Sequence, residues 1–352
     1  MKEIFFLYFV LLSPFLGVNV MASGNTANGQ QPKQWSLFWG GDWRAGDYVV
    51  SVDESGLARL TLFDTANNEN AHGAGILEGS GDLYDRKAAE EVRQALCDPN
   101  SQAGRGLEVT PTDAPAIFSA SCNVNGEVQE RKGHIALLPE ELFKKATKNA
   151  GLVHADLVRS GRKKIWINAS VLKVEKQGND FIVTVRIINC GKEALSFRRP
   201  DIWSGKSREE TLSVGAVNLD HSGYGGWEFD LAGQPLENKA EFKDEVVILE
   251  GGGFRDFAFR AKPKDQSKAG DYAFSLDAWL YIDWMEGREK RRAHVDFYSG
   301  TDGRTIIKMD RDYPSTPKER EEWEATHRTS MLLQPVGPGE TFAEDGLYRA
   351  VR

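Results

Sequence analysis

"IWINASVLKVEKQGNDFIVTVRIINC", residues 165–190, is the stretch on which the architecture turns. Val183, Val185 and Ile187 recur at every second position, the period of a strand with one buried face. Gln177-Gly178-Asn179-Asp180 separates this run from another of the same kind and reads as a turn. Further short strands fit 212–219, 226–231, 244–249, 254–260, 271–282 and 290–298, each bounded by turn residues. That rhythm predicts an all-β, immunoglobulin-like sandwich over 165–300.

Upstream the period changes. "RSGRKK" at 159–164 reads as a linker or turn, and 35–158 as an α+β domain ordered hairpin, helix, hairpin, helix. Val50 and Val52, a turn at 53–56, then Ala58, Leu60 and Leu62 give the first hairpin. A helix over 85–97 buries Ala88, Val92, Ala95 and Leu96, with Asp85 placed to accept from the free amides of its first turn. Asn125-Gly126 turns the second hairpin, both residues tolerating positive φ. The second helix starts at Pro139 and stops at Gly151.

Between the first hairpin and the first helix stands "GAGILEGSGD", 73–82. A dinucleotide fingerprint needs a third glycine where Glu78 stands, and a phosphate loop needs Gly-Lys-Ser/Thr, which is missing. The stretch therefore reads as a mobile loop.

The ends carry addresses rather than folds. Residues 1–22 have Lys2 followed by an apolar run from Ile4 to Val20 and small residues at Ala22, the layout of a signal peptide cut after Ala22. Polar residues 23–34 read as a disordered lead-in. No other segment approaches the length of a membrane span, so a periplasmic or secreted protein is expected. In 301–352, Thr316-Pro317-Lys318-Glu319 forms a capping box for a surface helix over 316–329, and an extended tail follows.

Composition narrows function by exclusion. A net charge of -8 without a basic patch disfavours nucleic acid and anionic lipid. No nucleophile elbow, metalloprotease helix or calcium loop is present, so no catalytic residue, cofactor or metal ligand is assigned. Asp277 and Asp283 could be drawn as an acid–base pair but read better as solvated strand positions. Export makes Cys97–Cys122 the natural disulfide and leaves Cys190 as an apolar filler. Among nine tryptophans, Trp39, Trp43, Trp279 and Trp284 are candidate partner-binding aromatics, since tryptophan brings large contact area at little entropic cost.

"FIVTVRIINCGKEALSF" (181–197), with "WEFDLAGQPL" and "AGDYAFSLDAWLYI" after it, resembles bacterial immunoglobulin-like domains of the intracellular-proteinase-inhibitor type. The hairpin–helix order upstream is similar to small protease-inhibitor domains such as emfourin. "PGETFAEDGLYRAV" (338–351) resembles a peptide in presumed immunity proteins of type VI secretion, with Leu347-Tyr348 where those have a tryptophan pair. These resemblances imply a non-catalytic protein that binds and neutralises a toxin effector or a protease. A carbohydrate or cell-wall glycan module, or an envelope assembly factor, is the alternative.

Overall fold

A computed structural model describes residues 33–40, 47–65, 73–99, 116–206, 209–219, 226–299 and 305–332. The signal-peptide reading, the lead-in up to residue 32, the tail beyond residue 332 and Trp43 lie outside those residues, while Lys33 and Gln34 at the end of the expected lead-in are in a strand. The first half comprises β1 (Lys33–Trp39), β2 (Tyr48–Asp53), β3 (Ala58–Leu62), β4 (Ala74–Gly79), α1 (Arg86–Leu96), β5 (Ala116–Val124), β6 (Glu127–His134) and α2 (Glu140–Ser160). There follow β7 (Arg162–Gln177), β8 (Asp180–Asn189), β9 (Leu195–Arg198), β10 (Thr211–Asn218), β11 (Glu228–Asp230) and β12 (Val246–Leu249). The chain continues through β13 (Phe254–Ala261), β14 (Gly270–Glu286), β15 (Glu289–Tyr298) and β16 (Thr305–Met309) to α3 (Pro317–Leu332). The described residues are thus mostly β, with two sheets and three α-helices.

The first sheet has nine strands in the order β13-β8-β7-β4-β3-β2-β1-β5-β6. The hairpins and helices gather round a core of their own. Their sheet runs on, through the antiparallel β4–β7 pair, into the sandwich. Residues 159–164 are no linker: α2 runs to Ser160, β7 starts at Arg162, and Gly161 alone lies between them. A Cβ on Gly161 would sit 2.4 Å from the Leu157 carbonyl oxygen, so only glycine allows so abrupt a passage.

The glycine-rich 73–82 stretch is likewise a strand over most of its length. β4 pairs with β3 on one side and β7 on the other. Gly75 is there for close approach: a Cβ would lie 2.1 Å from the Ile165 carbonyl oxygen. The second helix passes straight through Gly151 for another nine residues. Gly151 is exposed and its backbone stays helical, so nothing forces a stop there.

β4 and β7 face two cores. Ile165 and Ile167 belong to the apolar layer between the sheets, together with Val183, Val185, Phe257, Leu280 and Val295. Trp166, between them in sequence, belongs to the layer under α1 and α2 with Leu60, Val92 and Leu157. Period-2 alternation sends successive side chains of one strand to opposite faces, and here both faces are covered.

The second sheet runs β11-β10-β14-β9-β12, with β15 and β16 along the other edge of β14. Asp85 caps α1 as expected, accepting from the amides of Lys87 and Ala88. Cys97 and Cys122 form a disulfide between the end of α1 and β5, and Cys190 is free and half-buried against the helix-side core. The capping box is present: the Glu319 amide donates to Thr316 Oγ1, and the Thr316 amide to Glu319 Oε2. α3 is nevertheless docked. The Glu319 side chain is 1% exposed and pairs with Lys176, and Glu322 pairs with Lys262. Among the described residues no helix is long and apolar enough to cross a membrane.

Candidate functional site

Along β14 the even residues Leu276, Ala278, Leu280 and Ile282 fill the core. The odd residues Asp277, Trp279, Tyr281 and Asp283 must then face outward. On β15, Val295 and Phe297 point in, while Arg292, His294, Asp296 and Tyr298 point out. The antiparallel register sets the two outward rows in opposed pairs: Asp277 with Tyr298, Trp279 with Asp296, Tyr281 with His294, and Asp283 with Arg292. Directly opposed side chains on one face are close enough to interact.

These rings pack on each other. Trp279 and His294 meet edge to face with centroids 4.2 Å apart, and Tyr281 lies 5.1 Å from His294. The Arg292 guanidinium covers the Tyr281 ring at 4.7 Å. Asp283 is neutralised by Lys290 at 3.0 Å and Arg292 at 3.7 Å. It is therefore a structural ion-pair partner, set apart from Asp277. At the Asp277 end the surface dips into a cavity of about 440 Å³ bordered by Ser213, Gly215, Glu228, Asp265, Asp277 and Tyr298.

The electrostatics of this face are uneven. Asp296 exchanges backbone hydrogen bonds with the segment after β3: its amide donates to Phe63 and the Thr65 amide donates to its carbonyl, both at 2.7 Å. That docking brings Asp64 alongside. Burial pushes the Asp296 carboxyl up to about 7, and the charges of Asp277 and Asp64 push the same way. Asp277, exposed at its rim, is also raised by desolvation, against a lowering hydrogen bond from the Ala278 amide. Burial holds His294 down, to about 4, and its Nε2 has no hydrogen-bond partner. At neutral pH the face therefore carries a neutral imidazole between aromatic rings, beside Asp277 and Asp296, which make no ion pair among the described residues.

Of the aromatics singled out in the sequence, Trp279 stands in this face. Trp39, half-buried on β1, packs against the helix-side core far along the first sheet. Trp284 is a correction: it is 8% exposed and lies in the inter-sheet core, its ring 6.0 Å from that of Phe63, so it offers no anchor to a partner. Its even number on β14 dictates this. Sequence reasoning passed over Tyr281, His294, Asp296 and Tyr298, although the alternation of 290–298 marks which of them face outward. Among the described residues no three His, Cys, Asp or Glu side chains gather as metal ligands.

No family model matches the chain, and no curated protein does. Among solved structures it is similar to the putative ApaA protein from Bordetella pertussis, at 11% identity over 44% of this chain and 99% of that one, TM-score 0.23. It is also similar to the C-terminal domain of wzt, at 14% identity over 44% of this chain and 80% of that one, TM-score 0.20. The ASH/PapD-like domain of human CEP192 matches at 16% identity over 39% of this chain and 84% of that one, TM-score 0.19. Likenesses at this level carry no argument about function, and the sandwich-like architecture rests on the chain's own two sheets.

Proposed function

We propose that this chain is a non-catalytic, exported protein that binds another protein and neutralises it, as an inhibitor of a protease or an immunity protein against a secreted toxin effector. The observation that carries the reading is the outward face of β14 and β15. Trp279, Tyr281, His294 and Tyr298 offer a rigid aromatic surface, and Asp277 and Asp296 beside them lack a cationic partner among the described residues. Aromatic anchors beside two carboxylates without an ion-pair partner suit a basic partner, which the acidic balance of the whole chain would help steer.

The test is capture of a basic effector or protease by the purified protein, followed by protection of cells that express it. Trp279→Ala with Asp277→Lys should abolish both capture and protection while leaving the fold intact. If the doubly substituted protein captured and protected as well as the parent, the face would not be the interface. A glycan partner is the second reading, favoured by the half-buried Trp279 ring on the same outward face as Asp277 and Tyr298, which border the cavity. Titration with cell-wall glycans that quenches Trp279 fluorescence would support it over the protein partner.

A further inference from the structure

The sequence shows no basic patch, but the fold assembles one. β8 ends at Asn189, a fully buried side chain that holds the following turn. Its Nδ2 donates to the carbonyls of Glu193 and Leu249 at 2.7 and 3.1 Å, and its Oδ1 accepts from the Gly191 amide at 2.9 Å. The turn is pressed against β7, where a Cβ on Gly191 would sit 2.7 Å from the Lys164 carbonyl oxygen. The Lys192 amide donates to that same oxygen at 2.9 Å. Lys192, which the sequence separates from the Arg162-Lys163-Lys164 run by a whole hairpin, is thereby fixed beside it.

The four cations line a cavity of about 210 Å³ together with Glu78 and Glu193. Four positive and two negative side chains leave the lining at a net +2. Lys164 is the cation that the acids use, with Glu78 at 3.3 Å, Glu193 at 3.8 Å and Glu286 at 3.4 Å. Arg162 and Lys192 have no carboxylate partner among the described residues, and Lys163 lies over the Trp166 ring at 5.3 Å. An acidic chain with 52 carboxylates to 44 basic side chains thus holds three neighbouring cations together without matching them. The position of Lys192 beside β7 is set by backbone hydrogen bonds.

The volume excludes a helix, whose diameter is about 10 Å, and admits a small group. Its charge asks for a dianion, and a guanidinium fork flanked by two ammonium groups matches the tetrahedral oxygens of a phosphate. We infer that this pocket binds a phosphate-class dianion, free or as the exposed headgroup of a larger molecule, with Arg162, Lys163 and Lys192 as its ligands. The site is distinct from the acidic face and independent of the function proposed above.

The experiment is isothermal titration of the whole chain with inorganic phosphate and with acetate at low salt, followed by Trp166 fluorescence. Vesicles of phosphatidylcholine with and without phosphatidic acid serve as the headgroup arm. Phosphate should bind at least about ten-fold more tightly than acetate, and R162Q/K192Q should weaken it by about ten-fold or more. The thermal midpoint of R162Q/K192Q without ligand should not fall, since neither side chain makes an ion pair among the described residues. R162K keeps the charge and loses the fork, so it serves as the second variant and should retain part of the affinity. A response to phosphatidic acid vesicles without one to inorganic phosphate assigns a headgroup, and the reverse assigns the free ion. Equal affinity for phosphate and acetate with no vesicle response, or unchanged phosphate affinity in R162Q/K192Q, overturns the site.

Discussion

Asp296 and His294 sit two residues apart on β15, and burial shifts them in opposite directions. Asp296 is held near 7 when folded and returns to 3.8 when unfolded, so the stability associated with its protonated form is complete below 3.8 and is lost as pH rises through 7. His294 falls from 6.5 to about 4 on folding, so its contribution is complete above 6.5 and is lost as pH falls toward 4. Over the same window the two slopes oppose. Asp296→Asn should remove one of them: the variant should melt higher than the parent at pH 8, with the gap closing as pH approaches 4. Thermal denaturation across that range is the check, and a gap that is constant with pH would mean that Asp296 is not desolvated. Neither residue was legible as part of a site, because a sequence gives the face of a side chain and not its neighbour across the ladder. Trp279 was legible. What it packs against was set by the register that the β14–β15 turn imposes.

Helix α2 shows how a local signal is overridden. Gly151 suggests a stop because glycine is a common helix terminator, yet the residue is exposed, mid-helix, and a Cβ there would meet nothing within 4 Å. Gly151→Ala should therefore stabilise the protein by about 0.5–1 kcal/mol, read as a higher denaturant midpoint with an unchanged slope. Gly75 looks alike in the sequence and differs entirely: it stands where β7 passes too close for any side chain, which is why β4 was mistaken for a loop. In α3 the capping box was readable, whereas the docking was not, since the donor that Glu319 meets, Lys176, lies at the end of β7. Burial alone would raise Glu319; hydrogen bonds from Lys176 and Ser315 reverse this and hold it at about 2. Its stabilisation is complete above 4.5 and is lost as pH falls toward 2. Glu319→Gln leaves Lys176 without its partner and should cost about 3 kcal/mol at pH 7, the deficit shrinking in acid. A loss under about 0.5 kcal/mol would put the pair among exposed ones.

For the whole molecule, the strands after residue 210 were the most legible part, because each is short, alternating and closed by turn residues. The joining of the two halves was the least legible: period-2 patterning is blind to strand order. A charged cluster reinforces that joint. Arg59 on β3 contacts Glu78 at 2.7 Å and Glu286, at the end of β14, at 2.8 Å, while Lys164 reaches both acids. Burial would raise Glu286, and Arg59 and Lys164 together bring it below its ordinary range instead. Arg59→Met should cost about 2 kcal/mol, since Glu286 then relies on the longer contacts of Lys164 and Arg291, 3.4 Å each, and Arg59→Met with Glu286→Leu should recover part of it, because a less well compensated buried acid is then gone.

β7 has one further consequence. Its Trp166 closes one core and its Ile165 and Ile167 close the other, so a chain severed at Gly161 would leave each piece with a raw apolar surface that the other piece was shaped to fill. Each fragment expressed alone should aggregate, and the two expressed together should reassemble without a covalent link. The protein would then serve as its own split reporter, with recovery of the intact melting transition as the readout.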